Sequence, residues 1–219
     1  MATILPKELL DRGEKTVTGN LEGLVPGNGS LTPKFILVGE APGETEVTTR
    51  KPFTGRAGIE LDKMLAELGV SRQSVYITSA LRSRPFKVVT KRSKRTGENY
   101  QKKDNRPATQ AELKRQAFLL DYELANLPTN LIMTIGNTGL HRILGPNYQV
   151  GAVHGQLFTG SILTYNYTQQ AYQPTVKQYR VFPTFHPAAI FYNRKLAPDL
   201  AADLQIFKQI LASNSEGSH

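Results

Sequence analysis

The sequence predicts a single-domain α/β protein with three layers, α/β/α, around a mainly parallel central sheet. Two observations predict this fold: four short apolar runs have the length of buried strands, and amphipathic helical segments separate them. Strands that alternate with helices along a chain pair in parallel, with helices on the faces of the sheet. The chain has 219 residues, 39% of them hydrophobic, which is enough for one core and does not require a second domain.

The predicted elements follow one another in a regular order. The strands cover residues 35–38, 75–80, 131–135 and 179–185. The helices begin after Gly55, after Thr109, after Asn137 and at Pro198. Thr109 is the predicted N-cap of the second helix, because Glu112 follows it at the spacing of a capping box. Residues 156–179 are expected to form an antiparallel hairpin.

Three parts of the chain lie outside this regular order. Residues 1–30 form an amino-terminal extension, and residues 213–219 are expected to be a disordered tail. Residues 86–106 are a basic insertion without clear periodicity, so they form either a long loop or a lightly structured hairpin.

Positive charge is concentrated in one segment. The formal net charge is +9, and residues 82–106 contain ten basic and two acidic residues, a net +8. A charge run of this kind is usually a solvated loop. Here nearly all of the excess lies in one segment, which favours contact with the phosphates of a nucleic acid.

The composition excludes several classes of protein. No run of eighteen or more apolar residues is present, and the first twenty residues lack the apolar core of a signal peptide, so we expect an intracellular protein without a membrane partner. The absence of cysteine excludes disulfides, thiolate metal sites and a cysteine nucleophile. The four histidines have no metal-ligand spacing, and no phosphate-binding loop or serine-nucleophile motif is present, so we expect no bound metal.

An acidic loop follows the first predicted strand. Glu40, Glu44 and Glu46 surround a Pro-Gly turn there, and Phe53 and Gly55 come soon after. Open α/β sheets bind ligands at the carboxyl ends of their strands, where this loop lies. Acids on a surface loop often serve solubility alone, but the turn, the aromatic ring and the bare glycine backbone favour a binding site.

His186 is the second candidate because it follows the last predicted strand. In a parallel sheet it projects from the same edge as the Glu40 loop. A lone histidine is more often a structural hydrogen-bonding residue than a catalyst, and its position gives the two interpretations about equal weight. We interpret His141 and His154 as structural.

Three motifs occur in order at predicted strand ends: Gly39-Glu40-Ala41-Pro42-Gly43, Pro52-Phe53-x-Gly55-Arg56-Ala57-Gly58 and His186-Pro187-Ala188-Ala189. In these motifs the chain resembles the uracil-DNA glycosylase superfamily, and family 4 in particular, from about Phe35 to Leu211. The resemblance implies hydrolysis of the N-glycosidic bond of uracil in DNA, which leaves an abasic site for base excision repair. It also implies a cytoplasmic, nucleoid-associated monomer whose partner is single- or double-stranded DNA.

The resemblance implies a role for each site residue. Glu40 and Ala41 form a wall of the base pocket and organise water, and Glu46 lies beside the sugar and the attacking water. Phe53 stacks under the flipped base, and His186 stabilises the departing base. These roles agree with the chemistry, because a donor at O2 of the leaving base and carboxylates near a cation-like sugar both lower the barrier.

Basic residues are expected to contact the DNA backbone. They are Arg56, Arg82, Arg84, Lys91, Arg92, Lys94, Arg95 and Arg194. Such contacts, with stacking on Phe53, offset the unstacking of the flipped base, which costs about a few kcal/mol.

The sequence departs from the family pattern at two places. Family 4 members hold an iron–sulfur cluster with four cysteines, but Ser83 and Gln116 stand where two of them are expected and the amino-terminal pair is missing, so we expect no cofactor. Ser79 stands where the family has a base-binding asparagine, and a hydroxyl spans fewer base atoms than an amide. An alternative function therefore stays open: a DNA-binding protein of this fold with altered base specificity or little catalytic activity.

Overall fold

A six-stranded mixed sheet forms the centre of the computed structural model, which describes residues 2–216 and the side chains of residues 2–213. The strands are β1 Leu21–Glu22, β2 Asn28–Gly29, β3 Ile36–Gly39, β4 Tyr76–Ser79, β5 Arg84–Arg92, β6 Asn99–Asn105, β7 Leu131–Ile135, β8 Phe158–Asn166 and β9 Ala171–Thr184. The order in the central sheet is β2-β4-β3-β7-β9-β8. The inner strands β4, β3, β7 and β9 are parallel, whereas β2 and β8 pair antiparallel at the two edges. The sheet is therefore mixed and not parallel throughout.

Helices connect the strands and cover both faces of this sheet. They are α1 Lys7–Glu14, α2 Glu44–Thr49, α3 Arg56–Glu67, α4 Gln110–Asn126, α5 Asn137–Leu144, α6 Val150–Val153, α7 Ala189–Tyr192 and α8 Ala197–Glu216. Short 3-10 turns lie at Arg72–Ser74 and Arg194–Leu196. The helices predicted after Gly55, Thr109 and Asn137 and at Pro198 correspond to α3, α4, α5 and α8.

Alternation along the strands produces the three layers. Successive strand residues point to opposite faces, so each inner strand supplies side chains to two separate cores. Leu37 of β3 packs in one core with Leu61 of α3 and Phe207 of α8. Val38 packs in the other core with Leu120 of α4. The α/β/α arrangement predicted from the sequence is present.

The predicted strands are all found in the central sheet, as β3, β4, β7 and β9. The last one begins at Ala171 rather than Tyr179, because it pairs with β8 in the antiparallel hairpin expected of residues 156–179. The capping box of α4 is also present: Glu112 N donates to Thr109 Oγ1 at 3.3 Å, and Thr109 N donates to the Glu112 carboxylate at 2.8 Å.

The basic insertion is a β-hairpin, the second of the two alternatives left by the sequence. Strands β5 and β6 pair antiparallel from Phe86 opposite Asn105 to Arg92 opposite Asn99. Strand β1 pairs with the start of β5 and completes a small second sheet. Because β5 begins shortly after β4 ends, the hairpin rises from the carboxyl edge of the central sheet.

Both terminal segments form part of the folded structure. In the amino-terminal extension, Leu5 and Leu24 are buried against Phe118 and Leu119 of α4. Helix α8 extends over residues 213–216 of the predicted tail and ends at Glu216; residues 217–219 lie outside the described residues. Within the described residues, no helix combines the length and the apolar character needed to cross a membrane.

Candidate active site

A cavity of about 540 Å³ opens at the carboxyl ends of the inner strands. Its walls come from the loop after β3, the start of α3, the end of β4, the base of the β5–β6 hairpin and the segment after β9. The predicted site residues that line it are Glu40, Ala41, Glu46, Phe53, Arg56, Ser79 and His186. The structure therefore brings together residues that are up to about 150 positions apart in the chain.

Glu46 organises the acidic loop. It lies in α2, and its carboxylate accepts three backbone hydrogen bonds: Oε1 from Thr54 N at 3.0 Å and from Gly55 N at 2.8 Å, and Oε2 from Gly43 N at 3.0 Å. A carboxylate has about four acceptor positions, so about one remains. The side chain joins the Pro-Gly turn to the start of α3, which leaves it little capacity for a second role.

Phe53 has an unusual backbone conformation, with a φ of 55°. Bulky residues rarely adopt a positive φ, and such strain costs about 1–3 kcal/mol. The ring lies over β3, where a Cβ on Gly39 would be 2.5 Å from it. A Cβ on Gly58 would be 2.0 Å from the Phe53 carbonyl oxygen. These two glycines of the motifs are therefore required for the position of the ring.

Arg72 holds this conformation from outside the motifs. Its guanidinium donates to the carbonyl oxygens of Phe53 at 2.6 Å, Pro52 at 3.2 Å and Gly58 at 3.3 Å. Asp62 accepts from its Nε at 2.5 Å. Hydrogen bonds from a charged donor are stronger than neutral ones, so Arg72 fixes the backbone on both sides of the Phe53 ring.

Glu40 faces the start of α5 from the carboxyl end of β3. Its Oε1 accepts from Thr138 N at 3.4 Å, in the first turn of α5, where the helix dipole stabilises negative charge. Gly136 has a φ of 88° and leaves room for the carboxylate, because a Cβ there would be 2.6 Å from Oε1. Glu40 thus keeps more acceptor capacity than Glu46.

The hydrogen bonding of His186 defines its neutral tautomer. Nδ1 accepts from Ala188 N at 3.1 Å, so the proton of the neutral ring is on Nε2. Burial lowers the pKa of His186, and the Glu40 carboxylate opposes this shift. The ring centroid lies 5.9 Å from that of Phe53, with an angle of 32° between the planes. The cavity therefore contains a neutral N–H donor beside an aromatic ring.

The other two histidines of the described residues lie away from the cavity. His154 Nδ1 is 2.9 Å from Asp203 Oδ1, and Thr184 Oγ1 donates to the second oxygen of Asp203 at 2.6 Å. The His154 ring also contacts Phe185, with 4.5 Å between centroids. His141 lies in α5, where its Nε2 is buried. The contacts of His154 agree with its structural interpretation, whereas the buried Nε2 of His141 has no hydrogen-bond partner among the described residues.

Comparison with known protein families identifies the superfamily of this chain. The sequence model of the uracil DNA glycosylase superfamily matches residues 26–211. The chain belongs to this superfamily. The match extends from just before β2 into α8, so the central sheet and all residues that line the cavity lie inside it.

The individual relatives have low sequence identity to this chain, and the values are similar to one another. The type-4 uracil-DNA glycosylase of Saccharolobus solfataricus is 29% identical over 86% of this chain and 76% of its own length. The type-4 uracil-DNA glycosylase of Thermotoga maritima is 28% identical over 80% of this chain and 75% of its own length. A DNA polymerase of Bacillus phage SP01 is 25% identical over 84% of this chain but over 16% of its own length.

The iron–sulfur cluster implied by the resemblance to family 4 does not fit the residues present. Ser83 and Gln116, at two of the expected ligand positions, bond to each other: Gln116 Nε2 donates to Ser83 Oγ at 2.8 Å and to Thr16 Oγ1 at 3.0 Å. Gln116 Oε1 accepts from Arg82 N at 3.0 Å. Among the described residues, no group of histidine and acidic side chains could hold a metal ion. This buried junction links the amino-terminal extension, α4 and the segment after β4.

Two residues predicted to contact DNA are buried, and that part of the prediction is wrong. Arg82 is 1% exposed and pairs with Glu123, which is 0% exposed. Arg84 is 4% exposed and donates to Glu22 at 3.0 Å and to Asn105 at 2.7 Å. A DNA phosphate cannot reach either guanidinium because both are buried, and each positive charge is already paired with a carboxylate of the protein.

The other residues predicted to contact DNA are accessible. They are Arg56, Lys91, Arg92, Lys94, Arg95 and Arg194. Lys94 and Arg95 lie at the exposed tip of the β5–β6 hairpin. Lys91 pairs with Asp104 at 2.8 Å, which reduces its net charge. DNA contact by these six residues stays a prediction.

The structure adds cavity residues that the sequence analysis missed. Tyr192, at the end of α7, lines the rim of the cavity and is 91% exposed, and Phe191 beside it is also exposed. Asn105 and Arg106 line the cavity from the base of the hairpin. Two adjacent aromatic residues shortly after His186 were a usable signal, since exposed apolar side chains beside a cavity mark an interaction surface.

Proposed function

We propose that this chain is a monofunctional uracil-DNA glycosylase, which hydrolyses the N-glycosidic bond of uracil in DNA and leaves an abasic site for base excision repair. The observation that carries the proposal is the neutral His186 ring, whose Nε2–H points away from the Ala188 amide at the cavity that Phe53 and Glu40 also line. The protein is proposed to act as a single-domain monomer on nucleoid DNA in the cytoplasm, with no cofactor.

The reaction breaks the bond between C1′ of the deoxyribose and N1 of uracil. As the bond breaks, negative charge develops on the base and its O2, and positive charge develops on the sugar. The Nε2–H of His186 donates to O2 and stabilises that charge where it develops. Water adds to C1′ with Glu40 accepting its proton, and this proton balances the one that uracil N1 takes up.

We assign the attacking water to Glu40 rather than to Glu46. The Glu46 carboxylate is already bound by three backbone N–H groups, whereas the Glu40 carboxylate accepts one weak bond from Thr138. A general base needs a free acceptor position within reach of the water. Glu46 then acts through the loop that it holds, and it positions Phe53 relative to Glu40.

The target base has to leave the DNA stack before it reaches this cavity. Unstacking costs about a few kcal/mol, and stacking on an aromatic ring returns about 1–3 kcal/mol per base. Phe53 supplies that ring inside the cavity. We propose that Tyr192 at the rim fills the gap left in the stack and that Arg56 and the exposed hairpin tip bind the flanking phosphates.

Labelled oligonucleotides with a single uracil test this function. Alkali cuts DNA at abasic sites, so incubation with the protein and then alkali should cleave the strand at the uracil, and a matched cytosine oligonucleotide should stay intact. Binding of the uracil oligonucleotide without any cleavage would contradict the enzymatic proposal. That result would favour the second candidate, a DNA-binding protein of this fold without turnover, to which Ser79 in place of an amide also points.

Loss of Arg72 should weaken catalysis through Phe53. Arg72→Ala removes a charged donor from three carbonyl groups around the strained residue, and we expect kcat/KM for uracil excision to fall by about tenfold to a hundredfold. Arg72→Lys should recover part of this loss, because lysine keeps the charge but not the planar fork. Steady-state kinetics on the uracil oligonucleotide measure both.

Arg50→Ala is the matched control for Arg72. Arg50 lies on the same loop as Phe53 and, like Phe53, has a positive φ, but its guanidinium pairs with Glu14 at 2.5 Å on the surface. Its kcat/KM should stay within about twofold of the wild-type value. An Arg72→Ala protein with unchanged kcat/KM would remove Arg72 from the positioning of Phe53.

Loss of the hairpin-tip cations should weaken DNA binding with little dependence on sequence. We expect Lys94→Ala/Arg95→Ala to lower the slope of log affinity against log salt by about 2 on duplex DNA, since each phosphate contact contributes about 0.9. Titrations of a fluorescent oligonucleotide at several salt concentrations measure this slope. Lys15→Ala/Lys208→Ala removes the same amount of charge from two exposed positions, Lys15 just after α1 and Lys208 on α8. This control should leave the slope unchanged. Equal slopes for the two variants would show that the hairpin tip does not bind phosphate.

A further inference from the structure

Ser79 lies beside the proposed position of the base. It ends β4 in register with Gly39 of β3, and residues in register on parallel strands point to the same face of the sheet. That face carries the Phe53 ring, which approaches Gly39 to within 2.5 Å of where a Cβ would be. Ser79 is 4% exposed and lines the cavity. Its hydroxyl is therefore available to a base stacked on Phe53.

The hydrogen of this hydroxyl is already used inside the protein. Ser79 Oγ donates to Leu81 O at 2.7 Å. If the hydroxyl turned towards the cavity, it would withdraw this bond from a buried carbonyl group, which is unfavourable. Ser79 thus presents its lone pairs, and not its proton, to a bound base.

Arg82 keeps Ser79 in this state. Its Nη1 donates to the Ser79 carbonyl oxygen and lies 3.4 Å from Ser79 Oγ. The guanidinium is held in turn by the buried pair with Glu123. A hydroxyl has two lone pairs, so one acceptor position remains after the approach of Arg82. An arginine that the sequence assigned to the DNA backbone is therefore a positioning residue for the base pocket.

The geometry points to a base-reading contact in which Ser79 Oγ accepts a ring N–H of the flipped base. Uracil has this hydrogen at N3, whereas cytosine has a lone pair there. Hypoxanthine has it at N1, whereas adenine has a lone pair there. The contact therefore binds the deamination products of both cytosine and adenine and repels both parent bases, because two facing lone pairs are unfavourable. This inference rests on the proposed glycosylase function and widens its substrate class.

The size of serine agrees with a wider substrate class. An asparagine at this position would extend further into the cavity and would also offer a donor to the neighbouring carbonyl of the base. Serine leaves that space for the longer purine, whose N1–H edge lies further from the sugar than N3–H of uracil does, in a cavity of about 540 Å³. Guanine and thymine carry the same ring N–H, so this contact does not exclude them. Other residues of the cavity wall must exclude these two bases.

Four oligonucleotides that differ in one base test the inference. With uracil, hypoxanthine, cytosine or adenine at the same position, the wild-type protein should release uracil and hypoxanthine and leave the other two. Ser79→Ala should slow both releases by a similar factor, about fivefold to tenfold, while Ser79→Thr, which keeps the hydroxyl, should retain most of the activity. Ser79→Asn should raise the ratio of uracil to hypoxanthine release, because the longer amide closes the purine space.

Ser83→Ala is the matched control, since it removes another buried hydroxyl that lies outside the cavity lining. Its release rates should stay within twofold of wild type, and thermal unfolding verifies that each variant is folded. Release of uracil alone by the wild-type protein would overturn this inference and leave the proposed function intact. Equal rates for Ser79→Ala and wild type would also overturn it. Binding of all four oligonucleotides without release of any base would overturn the proposed function itself.

Discussion

His186→Ala is expected to lower kcat for uracil excision by about a hundredfold to a thousandfold. The proposed step needs a donor at O2 of the leaving base, and removing one such preorganised donor from an active site typically has an effect of this size. KM should change far less, because the donor acts mainly on charge that develops in the transition state. Single-turnover kinetics with the uracil oligonucleotide separate the chemical step from DNA binding.

The pH dependence of the same step follows from the tautomer of His186. Protonation places a hydrogen on Nδ1, which then faces the Ala188 N–H and breaks the bond that orients the ring. Burial lowers the pKa of His186 from its ordinary value of 6.5, although Glu40 opposes this, so the neutral ring persists as the solution becomes weakly acidic. The contribution of His186 to kcat should therefore persist at weakly acidic pH, where an ordinary imidazole is already protonated, and be lost only as the pH falls through the lowered pKa of the ring.

His141→Ala is the control for the His186 variant. It removes the same side chain from α5, away from the cavity lining, and kcat should stay within about twofold of wild type. A second variant, His186→Gln, keeps an N–H donor and should lose less activity than alanine does. If His186→Ala kept a kcat within tenfold of wild type, the donor at O2 would have to be a different group.

The convergence of the candidate site residues on one cavity was predictable because each main residue is next to a strand end. Glu40 follows β3, Ser79 ends β4 and His186 follows β9. Strand ends are encoded locally, by apolar runs that stop at glycine, proline or polar residues. Parallel pairing then brings these ends to one edge of the sheet. The convergence of the three residues therefore needed no knowledge of their side-chain contacts.

The roles of charged residues were less predictable because they depend on distant partners. The charge pattern of the sequence predicts that Arg82 belongs to a basic surface, but its partner Glu123 is 41 residues away in the chain. Arg84 is likewise neutralised by Glu22, which is 62 residues away. A single sequence shows the sign of each charge and not its pairing, so the net charge of residues 82–106 overstated the surface available to DNA.

Backbone strain was also invisible in the sequence. Phe53 has a positive φ, although such conformations favour glycine, asparagine and aspartate. The motif indicated an aromatic ring near a glycine, but the need for Gly39 and Gly58 as empty positions and for Arg72 as an anchor appears only in three dimensions. Arg72 lies in a segment without any motif, so its role had no local signal.

Glu123→Gln is expected to lower the free energy of unfolding by about 3–5 kcal/mol. Glutamine keeps the size of the side chain but only one of the two oxygen acceptors, which accept from the Tyr76 hydroxyl at 3.0 Å (Oε1) and from the Thr78 hydroxyl at 2.7 Å (Oε2). It removes the charge that compensates Arg82, and an unpaired buried charge costs about this amount. Urea unfolding curves measure the loss as a lower midpoint with an unchanged slope.

The double variant Arg82→Met/Glu123→Gln separates this charge effect from a packing effect. With both charges removed, the protein should regain most of the stability that Glu123→Gln loses, because a buried ion pair is about neutral in net free energy relative to apolar groups of similar volume. The exposed pair between Lys7 and Asp11 is the matched control, and Asp11→Ala should leave the urea midpoint nearly unchanged, because water screens an exposed ion pair. A double variant as unstable as Glu123→Gln alone would mean that hydrogen bonds and packing, and not the neutralised charge of Arg82, hold this part of the core together.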